Sequence, residues 1–203
     1  ALLHEVHHRV KNNLQVITSL LRLEAGRTQA PGTRAVLKDM QGRIQSMALL
    51  HETLYRADSF ASVALAAYLK QLATQAFRAQ TSHSSAVRLT LDLAPVQVVM
   101  DQATPCGLLV NELISNCLKH AFADGRAGEV RLSLVPAAEP GQWRMAVSDD
   151  GIGLPADFEA RRQQSLGLQL VSDLTRQLGG QLQVSSDGGS TFAVTFVVSE
   201  IKP

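Results

Sequence analysis

From Leu3 to Leu21 the apolar residues Leu3, Val6, Val10, Leu14, Ile17 and Leu21 recur three or four positions apart, with no proline among them. That spacing winds into one apolar stripe, so a long amphipathic helix is predicted from Leu2 to about Arg27. A breaker cluster of Gly26, Pro31 and Gly32 follows, and then a second stripe at Val36, Leu37, Met40, Ile44, Met47 and Leu54. Two such helices make a hairpin. A lone hairpin has little interior, and its stripes are wide, so a second copy is expected to complete a four-helix bundle, making the chain a homodimer. Asp58 to Ser62 reads as a connection and Leu65 to Phe77 as a shorter helix, ending near the polar run Thr81 to Ser85. The expected division is a helical unit over residues 1–82 and a second unit over 83–203.

Beyond that point the periodicity changes. Val87 to Leu93 alternates like a strand, and a helix is predicted from about Thr104, with Pro105 in its first turn. Glu129 to Val135 and Trp143 to Ser148 read as paired strands. A helix at Leu166 to Leu178 is stopped by Gly179 and Gly180, and strands follow at Gln181 to Ser185 and Thr191 to Val198. The fold class is therefore α+β: a helical hairpin followed by an α/β sandwich whose mixed sheet carries helices on one face.

Nineteen basic residues nearly balance eighteen acidic ones, a net charge of +1, which argues against nucleic acid or a polybasic membrane contact. No apolar run is long enough to span a bilayer, and no signal-peptide pattern opens the chain. Cys106 and Cys117 fall on one predicted helix about 16 Å apart in rise, too far to bridge, which fits a reducing, cytoplasmic setting. The start without methionine reads as a piece of a longer protein whose sensor or membrane segments lie elsewhere.

On the helix from Thr104, a step of about 100° per residue puts Glu112, Asn116 and Lys119 on one polar stripe, with Val110, Ile114, Cys117 and Ala121 opposite and Asn111 off the line. A carboxylate, an amide oxygen and an ammonium in line suit a metal-bound triphosphate, although alone they read equally as a solvated face. Ser148-Asp149-Asp150-Gly151-Ile152-Gly153 follows a strand, where glycines permit close approach to a flat ligand and Asp149 can accept a hydrogen bond. Ser165 caps the helix that includes Gly167, whose first turn offers N–H groups to an anion. Gly188-Gly189-Ser190-Thr191-Phe192 brings glycines and hydroxyls beside the same expected pocket, Thr191 being the candidate contact.

Each segment alone is an ordinary turn or cap. In this order they resemble the N, G1, G2 and closing glycine boxes of the Bergerat-type ATPases, over roughly Thr90 to Val198. The resemblance implies an ATP site in which Asn116 ligates Mg, Lys119 and His120 lie near the phosphates, and Asp149 meets the adenine amino group. It also implies that Gly151, Gly153 and Gly167 shape the pocket and that Pro155 to Gln164, carrying Arg161 and Arg162, is a mobile lid.

The run His4-Glu5-Val6-His7-His8-Arg9-Val10-Lys11-Asn12-Asn13-Leu14-Gln15 is similar to the phosphoacceptor motif of histidine kinases of the second HisKA type, relatives of the HWE class. By that resemblance, which covers nearly the whole chain, His8 is the acceptor. The helical wheel agrees, since His8 sits about 180° from the mean of the apolar stripe. Many such kinases carry an acidic residue just after the acceptor, but here that place is Arg9, which leaves the general base open. Glu5, one turn earlier, can fix the tautomer of His8, or simply be solvated. Asn12, one turn later, can position an attacking water on a response regulator. The expected activity is ATP-dependent phosphorylation of His8, then transfer to an aspartate of a response-regulator receiver domain. The rivals are a Bergerat-fold clamp or chaperone ATPase and a non-catalytic dimeric nucleotide-binding module.

Overall fold

The computed structural model describes residues 2–56, 62–81 and 86–199. Helices α1 (Leu2–Arg27) and α2 (Pro31–Arg56) form an antiparallel hairpin. Arg34 closes it: Nε donates to the Ala25 carbonyl at 3.2 Å and Nη2 to the Thr28 carbonyl at 2.8 Å, satisfying oxygens that the end of α1 leaves unpaired. Val10, Leu14, Leu21 and Ala25 of α1 are half-buried or buried, as are Leu37 and Ile44 of α2. A second stripe stays bare. Val16, Leu20 and Leu23 on α1, and Val36, Met40 and Met47 on α2, are exposed, with Leu20 and Leu23 at 60% and 62%. Ile17, expected in the covered seam, is 44% exposed, so α1 carries two apolar lines rather than one.

A two-residue strand, β1 (Val63–Ala64), pairs antiparallel with β3 (Gln97–Val98). Neither was legible in the sequence, because two residues carry no periodicity. Helix α3 (Leu65–Gln80) buries Leu65, Tyr68, Leu69, Leu72, Ala73 and Ala76, one helical face, against α4 (Met100–Asn116). Helix α3 thus packs with the α/β unit, although the expected boundary after residue 82 groups it with the hairpin. Helix α4 begins at Met100, four residues before the expected start at Thr104, and Pro105 lies inside it. A proline just past the first turn forfeits only one backbone bond, so packing of Ala103, Cys106, Leu109 and Val110 outweighs it.

The five-stranded sheet runs β2 (Val87–Leu93), β4 (Gly128–Pro136), β5 (Gln142–Asp149), β7 (Ser190–Val197), β6 (Gln181–Ser185). The β2–β4 pair is parallel and the others antiparallel, so the sheet is mixed, as expected. Alternation sends Val130, Leu132, Leu134, Met145, Val147, Phe192, Val194 and Phe196 into one core with α3, α4 and α6 (Leu166–Gln177). The other face carries Arg131, Ser133, Arg144, Ser148, Thr191 and Thr195.

Tyr68 ties these layers to the hairpin. Its buried hydroxyl, whose pKa burial pushes above the ordinary tyrosine value, donates to the Ser46 carbonyl of α2 at 3.2 Å. A Cβ at Gly107 would collide with that hydroxyl. Gly107→Ala is therefore expected to lower the melting temperature, the overpacking cost of about 1–3 kcal/mol exceeding the helix-propensity gain of about 1 kcal/mol. A melting temperature at or above wild type would show that Tyr68 moves aside freely.

Candidate active site

Helix α4 does not end at Asn116 but continues as a π-helical turn, Cys117–Ala121. Bonding from i to i+5 widens the turn, so each residue rotates less than in an α-helix. Ala121, five residues after Asn116, comes round beneath it, while Lys119 drops off the line. The sequence reading puts Cys117 and Ala121 opposite Asn116; Cys117 is only one step of about 100° from Asn116 and the wider turn brings Ala121 round, so both line the cavity described next. Gly151 exists for this turn. A Cβ there would strike the Ala121 carbonyl, and the neighbouring Ile152 N–H donates to that same carbonyl at 3.1 Å.

A cavity of about 470 Å³ opens between this turn, the end of β5, the start of α6 and β7. Asn116 and His120 stand on one wall, and Asp149, 8% exposed, forms the floor. Asp149 Oδ1 accepts from the Gly151 N–H at 3.0 Å and the Ser190 N–H at 3.3 Å, and Oδ2 accepts from the Ser190 hydroxyl. The two N–H groups and the hydroxyl hold the carboxylate in one orientation. Cys117 lies beside it, and burial, then the Asp149 charge and hydrogen bond, push its thiol well above the ordinary cysteine range. That thiol is protonated and unreactive, and Cys106 is likewise buried and free.

Apolar groups complete the walls. Phe158 meets Phe192 edge-on at 5.9 Å between centroids, and Leu154 and Leu168 line the same space. Phe158 opens a short helix, α5 (Phe158–Gln164), within the segment expected to be a mobile lid. Arg162 in that segment turns to Ser172, with Nη2 at 3.5 Å from its hydroxyl, whereas the side chain of Arg161 lies outside the described residues. Gly153, at φ +77°, starts the lid, and Ser186 pins it: its oxygen accepts from the Leu154 N–H at 3.0 Å while its hydroxyl donates to the Gly189 carbonyl. Ser165 also lines the cavity and caps α6 as expected, accepting from the Leu168 N–H at 3.4 Å.

Of the residues singled out in the sequence, Asn116, His120, Asp149 and Gly153 gather at this cavity. Others do not line it. Glu112 is buried against α2, where Arg43 donates to it, and Lys119 is ion-paired with Asp39 of α2. Gly167 serves packing, since a Cβ there would collide with Glu112. Thr191 faces the other side of the sheet. The register pairs Asp149 with Ser190, so Ser190 and Phe192 point inward and Thr191 outward. The signal was present: Ser190 and the core residue Phe192 share strand parity, and Thr191 does not. Asn12 is exposed on α1. His8 and Glu5 belong to α1, but their side chains lie outside the described residues.

With this geometry in place, likeness to known proteins gives it a family. Residues 5–80 match the model described as histidine kinase, and residues 101–200 the model described as histidine kinase-, DNA gyrase B- and HSP90-like ATPase. The chain is 33% identical over 194 residues to blue-light-activated histidine kinase 2 of Erythrobacter litoralis, covering 93% of this chain and 54% of that protein. It is 34% identical over 189 residues to the sensor histidine kinase PdtaS of Mycobacterium tuberculosis, covering 90% and 36%. The chain thus spans about half the length of these curated relatives, or less. The solved histidine kinase domain of the Erythrobacter litoralis blue-light-activated kinase superposes with a TM-score of 0.73 at 30% identity, over 97% of this chain and 90% of that one. The helical hairpin and the mixed sheet are those of that fold, and the chain belongs to the histidine kinase family.

Proposed function

We propose that this chain is the catalytic core of a sensor histidine kinase in a two-component system, in which ATP phosphorylates His8 and the phosphoryl group then passes to an aspartate of a response-regulator receiver domain. The observation that carries the reading is one cavity, of a size that suits a nucleotide, with a fixed buried acceptor at its floor and an amide and an imidazole on its wall. Asp149 accepts from the adenine amino group, and the Phe158, Leu168 and Phe192 side chains give the base an apolar slot. Asn116 and His120 face the phosphates.

The donor set fits magnesium. Among the described residues no group of three or more histidine, cysteine, aspartate or glutamate side chains gathers to hold a metal. A cation offered one amide oxygen, from Asn116, would draw its remaining ligands from phosphate oxygens and water, as magnesium does. When bound, it supplies charge neutralisation at the triphosphate. The chain's own part is to orient the nucleotide, and to present a neutral imidazole at His8 in line with it.

The bare stripes on α1 and α2 support homodimerisation into a four-helix bundle. Glu5 and Asn12, one turn either side of His8, are the candidates for orienting its ring and for positioning water on the receiver domain. None of the helices among the described residues is long and apolar enough to cross a membrane. The buried, unbridged Cys106 and Cys117 support a cytoplasmic setting for this piece, with residues 1–82, the hairpin plus α3 as the connecting helix docked on α4, as the phosphotransfer unit and 83–203 as the ATP-binding unit. Incubation with γ-labelled ATP and magnesium tests the activity. Label that survives base and is lost in acid is the expected result, whereas free phosphate without protein label would favour a clamp-type ATPase.

A further inference from the structure

Helix α2 lies along α4, and its contacts fall on Glu112 and Lys119, two residues of the polar stripe expected to face the nucleotide. Arg43 directs Nε and Nη2 at one oxygen of Glu112, at 3.2 and 3.0 Å, and the Glu112 side chain is only 7% exposed. Asp39 holds the ammonium of Lys119, a more exposed pair. Between the pairs, Gly42 leaves room for the buried Asn111, whose amide nitrogen would lie 3.2 Å from a Cβ there. Tyr68 then donates to the Ser46 carbonyl. Residues 39, 42, 43 and 46 are one helical face, so α2 presents a continuous polar edge to the catalytic helix.

The level of this contact along the hairpin is wrong for transfer. Only residues 28–30 separate α1 from α2, and Arg34 reaches the carbonyl of Ala25, so Asp39 lies level with about residue 19 of α1. His8 is about eleven residues further along α1, or about 16 Å of helix rise. In-line transfer requires reacting atoms within about 3–3.5 Å. In this arrangement Lys119 is held by Asp39 at a level about 16 Å of helix rise from that of His8.

We propose that Asp39 and Arg43 form an intramolecular latch that holds the ATP-binding unit in a non-transferring position. The latch releases when Lys119 exchanges the Asp39 carboxylate for nucleotide phosphate. The proposal rests on the kinase reading for its rate consequences, and on contacts alone for its geometry. The two pairs contribute unequally. Removing Arg43 leaves a buried carboxylate without its partner, which is relieved only if the helices part and water reaches Glu112. Removing Asp39 breaks a half-exposed pair and biases the equilibrium less.

The test combines a distance and a rate on the full chain. Spin labels on Lys38→Cys and Ala127→Cys, both exposed positions, report the separation of α2 from the catalytic unit, while the native cysteines are buried. A narrow, short distribution is expected without nucleotide, shifting to longer separations with Arg43→Gln and, to a smaller extent, with Asp39→Asn. A non-hydrolysable ATP analogue with magnesium should shift the unsubstituted latch the same way. Arg43→Gln should raise the initial rate of phosphohistidine formation by about fivefold or more, the usual scale of coupling between two such states. An unchanged distance in Arg43→Gln, or a longer distance with no gain in rate while the wild type is active, overturns the latch. If distances shift but no form of the chain ever takes up phosphate, the latch stands and the kinase reading falls.

Discussion

Replacing His8 by glutamine abolishes acid-labile labelling from γ-labelled ATP while leaving nucleotide affinity within about twofold of wild type; this is the largest effect expected of any single change in the chain. Glutamine keeps the helix-forming, polar character of the position but has no imidazole nitrogen to accept the phosphoryl group, so the loss is chemical and not structural. The nucleotide cavity is built from the end of α4, β5, the lid, α6 and β7, none of which includes α1. Sites without shared partners behave additively, which is why binding should be nearly indifferent to the change. Quantitative labelling with parallel calorimetric titration of an ATP analogue checks both halves. Retained labelling in His8→Gln, with loss in His7→Gln, would move the acceptor by one residue.

Asp149→Asn is expected to weaken ATP-analogue binding by about 1.5–3 kcal/mol, or about 10- to 150-fold, the scale of a hydrogen bond to a charged group. The carboxylate receives the Gly151 and Ser190 N–H groups on one oxygen and the Ser190 hydroxyl on the other. An amide keeps one of those oxygens but turns an NH₂ toward the Ser190 hydroxyl and the cavity, where it faces the adenine amino group as a second donor. The same reasoning makes the wild type prefer ATP to GTP, which offers an oxygen where the site supplies an acceptor. Asp150 is the control. Its carboxylate is turned away and accepts from the Glu129 N–H at 2.7 Å on β4, so Asp150→Asn should bind nearly as the wild type does. Melting temperatures without nucleotide separate a lost contact from a lost fold. Lost binding in Asp150→Asn with retention in Asp149→Asn would place the pocket one residue away.

What could be read directly from the sequence is whatever depends on residues close together in the chain. The apolar stripes of α1, α2 and α3 obey a fixed helical period, and the strands β2 and β6 were delimited residue for residue by alternation and flanking breakers. Ser165 as a cap and Asp149 after a strand are local signals of the same kind, and both residues are found at the cavity. Tertiary structure decided the rest. The π-helical turn fits Gly151 closely against Ala121, a contact across thirty positions, and it brings Ala121 round toward Asn116. Ser190 rather than Thr191 reaches Asp149 because the β5–β7 register fixes which parity faces inward. Glu112 and Lys119 have the chemistry of a phosphate site, but α2 supplies Arg43 and Asp39 as competing partners, and no periodicity reveals which of two opposite charges an ionic side chain will meet. Local sequence specifies the elements and the chemistry each can offer; which groups meet is settled by the packing of elements distant in the chain.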